Sequence, residues 1–361
     1  MQPKFQEILN KLANIEKGRV EIGKTFREIN NSFNIGPNEE IYDKKIINKV
    51  EVKKPSKNVV GIDGGIVKTS LHGIDMMLVR AVGVNFIYSD GNLVKTNYHP
   101  SSVPEPSSDV IINALSEIEL EYCYNFVRQI KEIETAIESV KKFNPDIVLL
   151  DGSVIPHYIT KPEKDFVKEY YKRLVDLYKE LFEISNNTVL AGVIEDSRGN
   201  KFCDILIRRV SGFLQDSINK KWLSILEKTR DTNLLHYILE KGERTCVFNY
   251  STNPANHPII KEFSKNSDKF MSFYLKTVDF DRPVRVDFIA NDDPTKIADD
   301  VSSFLISTSG HSGYGVPAVL IEADKIAKLS HDDLENFYYD IINRLGNFSS
   351  LFKLRRNNRP F

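Results

Sequence analysis

Cysteine is scarce in this chain, three residues in 361, and Cys123, Cys203 and Cys246 lie far apart without a CxxC pair. That spacing excludes a disulfide framework and a structural zinc site, and leaves the three as core thiols. No run of about 18 apolar residues is present to span a bilayer. The opening MQPKFQEILNKLANIEKG is amphipathic and lacks the apolar core of a signal peptide, so the expected compartment is the cytoplasm, with no membrane partner. Charge of one sign is not in excess: 49 Lys and Arg stand against 50 Asp and Glu, a net charge of −1. A polyanionic partner must therefore be met by local basic surface. No GxxxxGK[ST] loop occurs, which removes the usual means of drawing energy from ATP. The histidines (His72, His99, His157, His236, His257, His311 and His331) show no HxH or HxxxH spacing and read as loop or packing residues, with His311 nearest to a motif of interest.

What is present is an ordinary globular composition, 27% charged and 41% hydrophobic, long enough for one large α/β domain with an elaboration or for two domains. Phe5, Ile8, Leu9, Leu12 and Ile15 fall at helical spacing, followed by a weaker pattern around Phe26 and Ile29 that stops near Gly36 and Pro37. Residues 1–58 thus read as a helical appendage and linker, 59–346 as the main domain, and 347–361, with KLRRNNR, as a basic tail. VVGID (59–63) predicts a strand ended by two glycines, and MMLVRAVGVNFIY (76–88) a longer strand ended by a turn. Ile118, Tyr122, Phe126, Ile130, Ile133, Ile137 and Val140 predict one long amphipathic helix over 108–143. DIVLLDGS (146–153) and TVLAGVIEDS (188–197) predict buried strands on either side of a helix over 162–185, an alternation that implies parallel members in the sheet. Further strands are expected at 244–250, 272–278 and 284–290, and helices at 294–308, 316–329 and 331–346.

Two of these strands end alike, VVGIDGG with Asp63 and IVLLDGS with Asp151, each carboxylate placed at the tip of a buried strand where the ligand crevice of an open sheet lies. Asp before Gly is also a plain turn former, but two such tips favour a metal site over two turns. If the chain reverses at Asn144 and Pro145, the strand rises roughly 17 Å to Asp151, the length of about eleven helical residues. That level falls near 132 or 133, and Glu134, about 40° from Ile130 on the edge of the apolar stripe, becomes the candidate, with Glu132 pointing away. Glu119 is too far along the helix to take part. IEDSR supplies Glu195 and Asp196, one of which can join the site, and Arg198 can hold a phosphate. Asp324 lies in a helix expected from Val316 or Pro317. Four or five such acids on one groove would hold two divalent ions about 3.5 to 4 Å apart, one activating water and one stabilising the leaving oxygen of a phosphodiester.

The string GIDGG (61–65), the helix with Glu134, LLDGS (149–153), GVIEDSR (192–198), LEKGERTCVF (239–248), FYLK with PVRVDF (273–288) and GVPAVLIEADKIA (315–327) resembles the NurA nuclease family, in order, over about 59–329. The resemblance implies a ribonuclease H-like (PIWI-like) core, a mixed α/β sheet flanked by helices. It also implies cleavage of DNA with Mn2+ or Mg2+, as 5'-3' exonuclease and single-strand endonuclease. A homodimer, and partnership with the hexameric DNA-translocating ATPase HerA in DNA end processing and repair, are implied too. By position, Asp63, Glu134 and Asp151 match the family's metal-binding acids, and Asp324 stands where many members have histidine. Glu195 stands where a lysine is frequent, and Lys201 or Arg198 can supply the missing cation. Tyr314 can orient a phosphate or water. The rival readings are an actin- or sugar-kinase-like phosphotransferase, because GIDGG resembles the first phosphate hairpin of that class, and a noncatalytic assembly subunit, prompted by Glu195 and Asp324. The first lacks the later glycine cluster that class needs, and the second is opposed by Asp63, Glu134 and Asp151.

Overall fold

A computed structural model describes residues 3–29, 40–156, 162–210 and 216–346. The chain opens with helix α1 (Pro3–Ile29) and a short strand β1 (Ile47–Lys49), then strands β2 (Asn58–Ser70), β3 (Asp75–Ser89), β4 (Asn92–His99) and β5 (Ser107–Ile111). Helix α2 (Glu117–Phe143), β6 (Ile147–Asp151), α3 (Asp165–Ile184) and β7 (Val189–Ile194) follow, then helices α4 (Lys201–Val210), α5 (Asp216–Leu226) and α6 (Asp231–Ile238). The last part holds β8 (Glu243–Thr245), β9 (Phe248–Asn249), β10 (Phe270–Lys276) and β11 (Val284–Ile289), and helices α7 (Pro294–Thr308), α8 (Ala318–Ala327) and α9 (His331–Leu345).

The strands form one mixed sheet in the order β1-β8-β10-β11-β7-β6-β2-β3-β4. Within it, β2, β3 and β4 make an antiparallel meander, while β6 and β7 lie parallel to β2. This is the mixed α/β arrangement expected of a ribonuclease H-like core. The remaining strands extend the sheet antiparallel beyond β7. Helices α2 and α3 cover one face through a core that includes Ile62, Phe126, Ile130, Leu150 and Leu174. Helices α7 and α8 cover the other through Val59, Leu149, Phe304, Val319 and Ala323. A third cluster joins Ile22 and Phe26 of α1 to Phe202, Trp222 and Leu235 of α4–α6. Strand alternation explains the division, since successive residues of β2 and β6 point to opposite faces and are apolar on both.

Three elements differ from the reading of the sequence. Residues 40–49, expected as linker, dock on the sheet: Ile41 bridges Phe248 and β1 pairs with β8. The long helix begins at Glu117, not at 108, because 107–111 pairs with β3 and Ser116 closes a capping box with Glu119. It ends where Asn144 turns left-handed at φ 44, ahead of Pro145. Finally, β2 does not stop at the glycines of GIDGG but runs on to Ser70, paired throughout with β3. Those glycines serve packing: a Cβ at Gly61 would lie 2.8 Å from the Val319 carbonyl oxygen, and one at Gly65 would strike that of Ala327, so α8 can lie directly on β2. The expected basic tail (347–361) lies outside the described residues.

Gly65→Ala therefore sets a methyl against helix backbone that cannot rotate aside. It is expected to destabilise the protein by about 1–3 kcal/mol, read as a lower urea midpoint; an unchanged midpoint would show that α8 is free to shift.

Candidate active site

The parallel register of β2 and β6 places Ile62 opposite Leu150. Asp63 and Asp151 thus follow on adjacent strands, about 4.8 Å apart in backbone. Beyond that point the two strands part: β2 continues, whereas β6 ends at Asp151 and Gly152 turns at φ 120. A notch opens beside the paired carboxylates. Alternation puts Asp63 on the face of Gly61 and Gly65, toward α8, which carries Asp324. One strand further over, β7 ends at Ile194 and presents Glu195, whose Oε1 accepts a hydrogen bond from the Tyr314 hydroxyl at 2.8 Å. Asp63 is 7% exposed and accepts the Gly64 N–H at 2.7 Å.

The α2 acid at this notch is Glu132, not Glu134. A Cβ at Gly64 would lie 2.6 Å from the Glu132 carboxylate, and one at Gly83 would strike Ser139 Oγ, so the row of α2 that lies on the β2–β3 pair runs through Glu132 and Ser139. Glu132 is 8% exposed and ion-paired with Arg128 one turn earlier. Glu134 instead pairs with Lys131 at 3.1 Å and with Arg173 of α3. The apolar stripe misled the sequence reading for a physical reason. Helix α2 is wedged between the sheet and α3, so its most apolar line is not its sheet-facing line, and the latter is polar and small where it meets glycines.

The other expected site residues divide. The charge of Asp324 adds to the rise at Asp151 and Glu195, and the Tyr314 hydroxyl is held by Glu195, so both border the notch. Asp196 turns outward into an ion pair with Arg282 at 2.7 Å, leaving the inward place to Glu195. Lys201 is bound to Glu40 at 3.0 Å, which also holds Arg208, and so fastens α4 to the segment before β1 instead of facing the notch. Arg198 is exposed past the end of β7. His311 accepts the Gly313 N–H at 3.2 Å inside the turn before Tyr314. The three cysteines are buried, as expected. Sequence reasoning missed Arg128 and Asp287; the latter accepts hydrogen bonds from Ser153, Ser272 and Arg285, a satisfied buried network that pins the turn after Asp151.

Electrostatics follow from this crowding. Burial, then the charges of Asp63 and Glu195, push Asp151 up to about 7, with Arg128 opposing. Burial pushes Glu132 up to about 8 against the pull of Arg128, with Asp63 and Asp151 adding to the rise. Asp63 and Glu195 are raised too, in both cases chiefly by burial. Like charges held together away from water create a demand for a cation, and an all-carboxylate donor set is hard, suited to Mg2+ or Mn2+. Among the described residues no three such donors already form a closed metal cage. The Glu132 carboxylate is drawn to Arg128, and in its protonated form Asp151 donates to Asp63.

Because Asp151 and Glu132 sit near 7 and 8 in the folded chain against ordinary values of 3.8 and 4.5, the metal-free native state holds protons that the unfolded chain has released. Its stability should fall as pH rises from about 4 to about 8. Urea titrations in EDTA across that range test this: Glu132→Gln should flatten the decline, and a stability that rises over the window would contradict the assignment.

The comparisons with known proteins bear on this arrangement. The crystal structure of the NurA nuclease from Sulfolobus solfataricus superimposes with a TM-score of 0.56 at 18% identity, covering 96% of this chain and 98% of that one. NurA bound to dAMP and manganese gives 0.51 at 11% identity, with 96% and 98% covered. NurA with manganese gives 0.50 at 10%, with 96% and 99% covered. No curated protein matches the chain in sequence. The NurA domain model matches residues 57–329, which takes in Asp63, Glu132, Asp151, Glu195, Tyr314 and Asp324, and the chain belongs to the NurA family.

Proposed function

We propose that this chain is a divalent-metal-dependent nuclease that hydrolyses DNA phosphodiesters at the notch between β2, β6 and α8. The observation that carries the reading is the pairing of Asp63 and Asp151 on adjacent parallel strands, ringed by Glu132, Glu195 and Asp324. Relatives of the same fold were solved with manganese and with dAMP and manganese. Asp63, Asp151 and Glu132 are the inner metal-holding residues, with Asp324 and Glu195 outside them. Five carboxylates against the Arg128 guanidinium leave a formal charge of −4, which two divalent cations neutralise. A cation bound there supplies polarisation of water and compensation of charge on the leaving oxygen. The Tyr314 hydroxyl, held by Glu195 at the rim, orients a phosphate or water, and Arg198 meets strand phosphates. Deprotonation of Asp151 and Glu132 must accompany metal binding, so metal affinity rises with pH up to about 8.

The kinase-like reading loses its motif, because Gly61, Gly64 and Gly65 lie inside a paired strand and make room for α8 and Glu132 instead of cradling a phosphate. On this reading the chain acts as a 5'-3' exonuclease and single-strand endonuclease in DNA end processing and repair, in the cytoplasm, as a homodimer and with a HerA-type motor. Phe5, Ile8, Leu9 and Leu12 of α1, all exposed in this single chain, support a partner on that helix. No helix among the described residues is long and apolar enough to cross a membrane.

Glu132→Gln and Asp151→Asn should each lower cleavage of single-stranded DNA in manganese by at least about 100-fold and remove most of the manganese-induced rise in Tm. Glu134→Gln should stay within about threefold of the parent, because its partners are Lys131 and Arg173. Full activity in Asp151→Asn, or loss confined to Glu134→Gln, would reject the site. For the partnership, blunt duplex incubated with the chain, the motor, ATP and manganese should be digested faster than with any one omitted; equal digestion without the motor or ATP would count against it.

A further inference from the structure

The most exposed large hydrophobic side chain among the described residues is Phe280, at 81%. It sits at the tip of the loop between β10 and β11, and this tip is fixed on both sides to the segments that carry the site. The Phe280 N–H donates to the Ser312 carbonyl at 3.1 Å. Asp281 accepts the Gly315 N–H at 2.8 Å, and Thr277 Oγ1 donates to the Gly315 carbonyl at 2.7 Å, so the loop interlocks with the turn bearing Tyr314. Arg282 reaches Asp196, the neighbour of Glu195, at 2.7 Å. The charge of Asp281 is felt at Glu195 itself.

A bare phenyl ring held this firmly is not a loop tip left in water by default. The backbone of Phe280 and the side chain of Asp281 are bound to the turn at the rim of the carboxylate notch, and Asp279 pairs with Lys241 at 3.8 Å, while the ring itself packs on little of the protein. Arg282, two positions after Phe280 and paired with Asp196, and Arg198, two positions after Asp196 and exposed, are the guanidinium groups of the two neighbouring segments. Single-stranded nucleic acid is held by this combination: cations along the phosphates and a fixed aromatic face on which a base stacks without regard to sequence.

We propose that Phe280 is a substrate-positioning residue, whose ring stacks on an unpaired nucleobase next to the phosphate presented to Asp63 and Asp151. The inference rests on the nuclease reading. It adds that the preferred substrate is a strand with its bases unstacked, and that duplex ends must be opened before they are cut. A paired base has both faces occupied by its neighbours, so the ring has nothing to stack on until the strand is freed.

The chain's only tryptophan, Trp222, is buried, so Phe280→Trp adds an exposed reporter. With calcium in place of manganese, oligothymidine should quench the fluorescence of Phe280→Trp and bind it within about threefold of the parent affinity. Phe280→Ala should weaken binding by about ten-fold, the loss of one stacked base, and raise KM for single-stranded DNA by a similar factor. Its kcat in manganese should change less than about twofold, a split that general loosening of the site would not give. A strand made abasic across the contact should bind the parent and Phe280→Ala equally. A parent that cuts DNA while Phe280→Ala matches it in affinity and KM would overturn the stacking role and leave the ring to a protein contact. A parent that neither binds nor cuts would overturn the nuclease reading and this inference together, and is recognised because the loss precedes any substitution.

Discussion

Everything distinctive about this protein depends on carboxylates held closer than they would choose to be. Asp63 and Asp151 are set side by side by the hydrogen bonds of a parallel strand pair, a geometry their charges cannot alter without unzipping β2 from β6. Glu132 is pressed on from one face and Asp324 from the other. In the metal-free chain the strain of that arrangement is relieved in two ways: protons are retained well above their usual pH, and Arg128 stands in as a counter-charge. A hard cation does the same work better, which is why the site's instability and its affinity for metal are one property seen from two sides.

The packing around the notch is arranged to permit this crowding. Gly61 and Gly65 bring α8 onto β2, and Gly64, on the opposite face, admits the Glu132 carboxylate. A side chain at any of the three would move a helix or an acid away from the Asp63–Asp151 pair. The turn after Asp151 is pinned by Ser153 on Asp287, and Asp287 is in turn satisfied by Ser272 and Arg285. Precision at the site is thus supplied by buried, fully bonded polar groups behind it, while the groups that face substrate stay under-compensated. The loops that carry Tyr314 and Phe280 are locked to one another through Gly315, so the outer rim is as well defined as the strands beneath it.

Much of the framework is written locally. The buried strands at 147–151 and 189–194, the helix between them, and the three C-terminal helices are recognisable from periodicity. Asp63, Asp151, Tyr314 and Asp324 stand in motifs that follow one another along the chain. The region 201–238 gave no reading beforehand. Its helices form a satellite core with α1 and are organised by Asp231, fully buried, which caps α4 and receives the Tyr274 hydroxyl across 43 positions of sequence. A contact of that separation leaves no local signature.

The sequence by itself determined the main strands and helices of the core, that acids stand at strand ends, and to which family the string of motifs points, because hydrophobic period and turn chemistry act over a few residues. It set Glu134 above Glu132, left Glu195 and Asp196 open, and ended a strand at the glycines of GIDGG, which instead make room within one. Each choice depends on what lies across from the residue. Arg173 of α3 takes Glu134, Arg282 takes Asp196, and α8 and Glu132 fill the space above and below the glycines. Only the packing of distant segments assigns one of two neighbouring carboxylates to solvent and ion pairing and the other to the site.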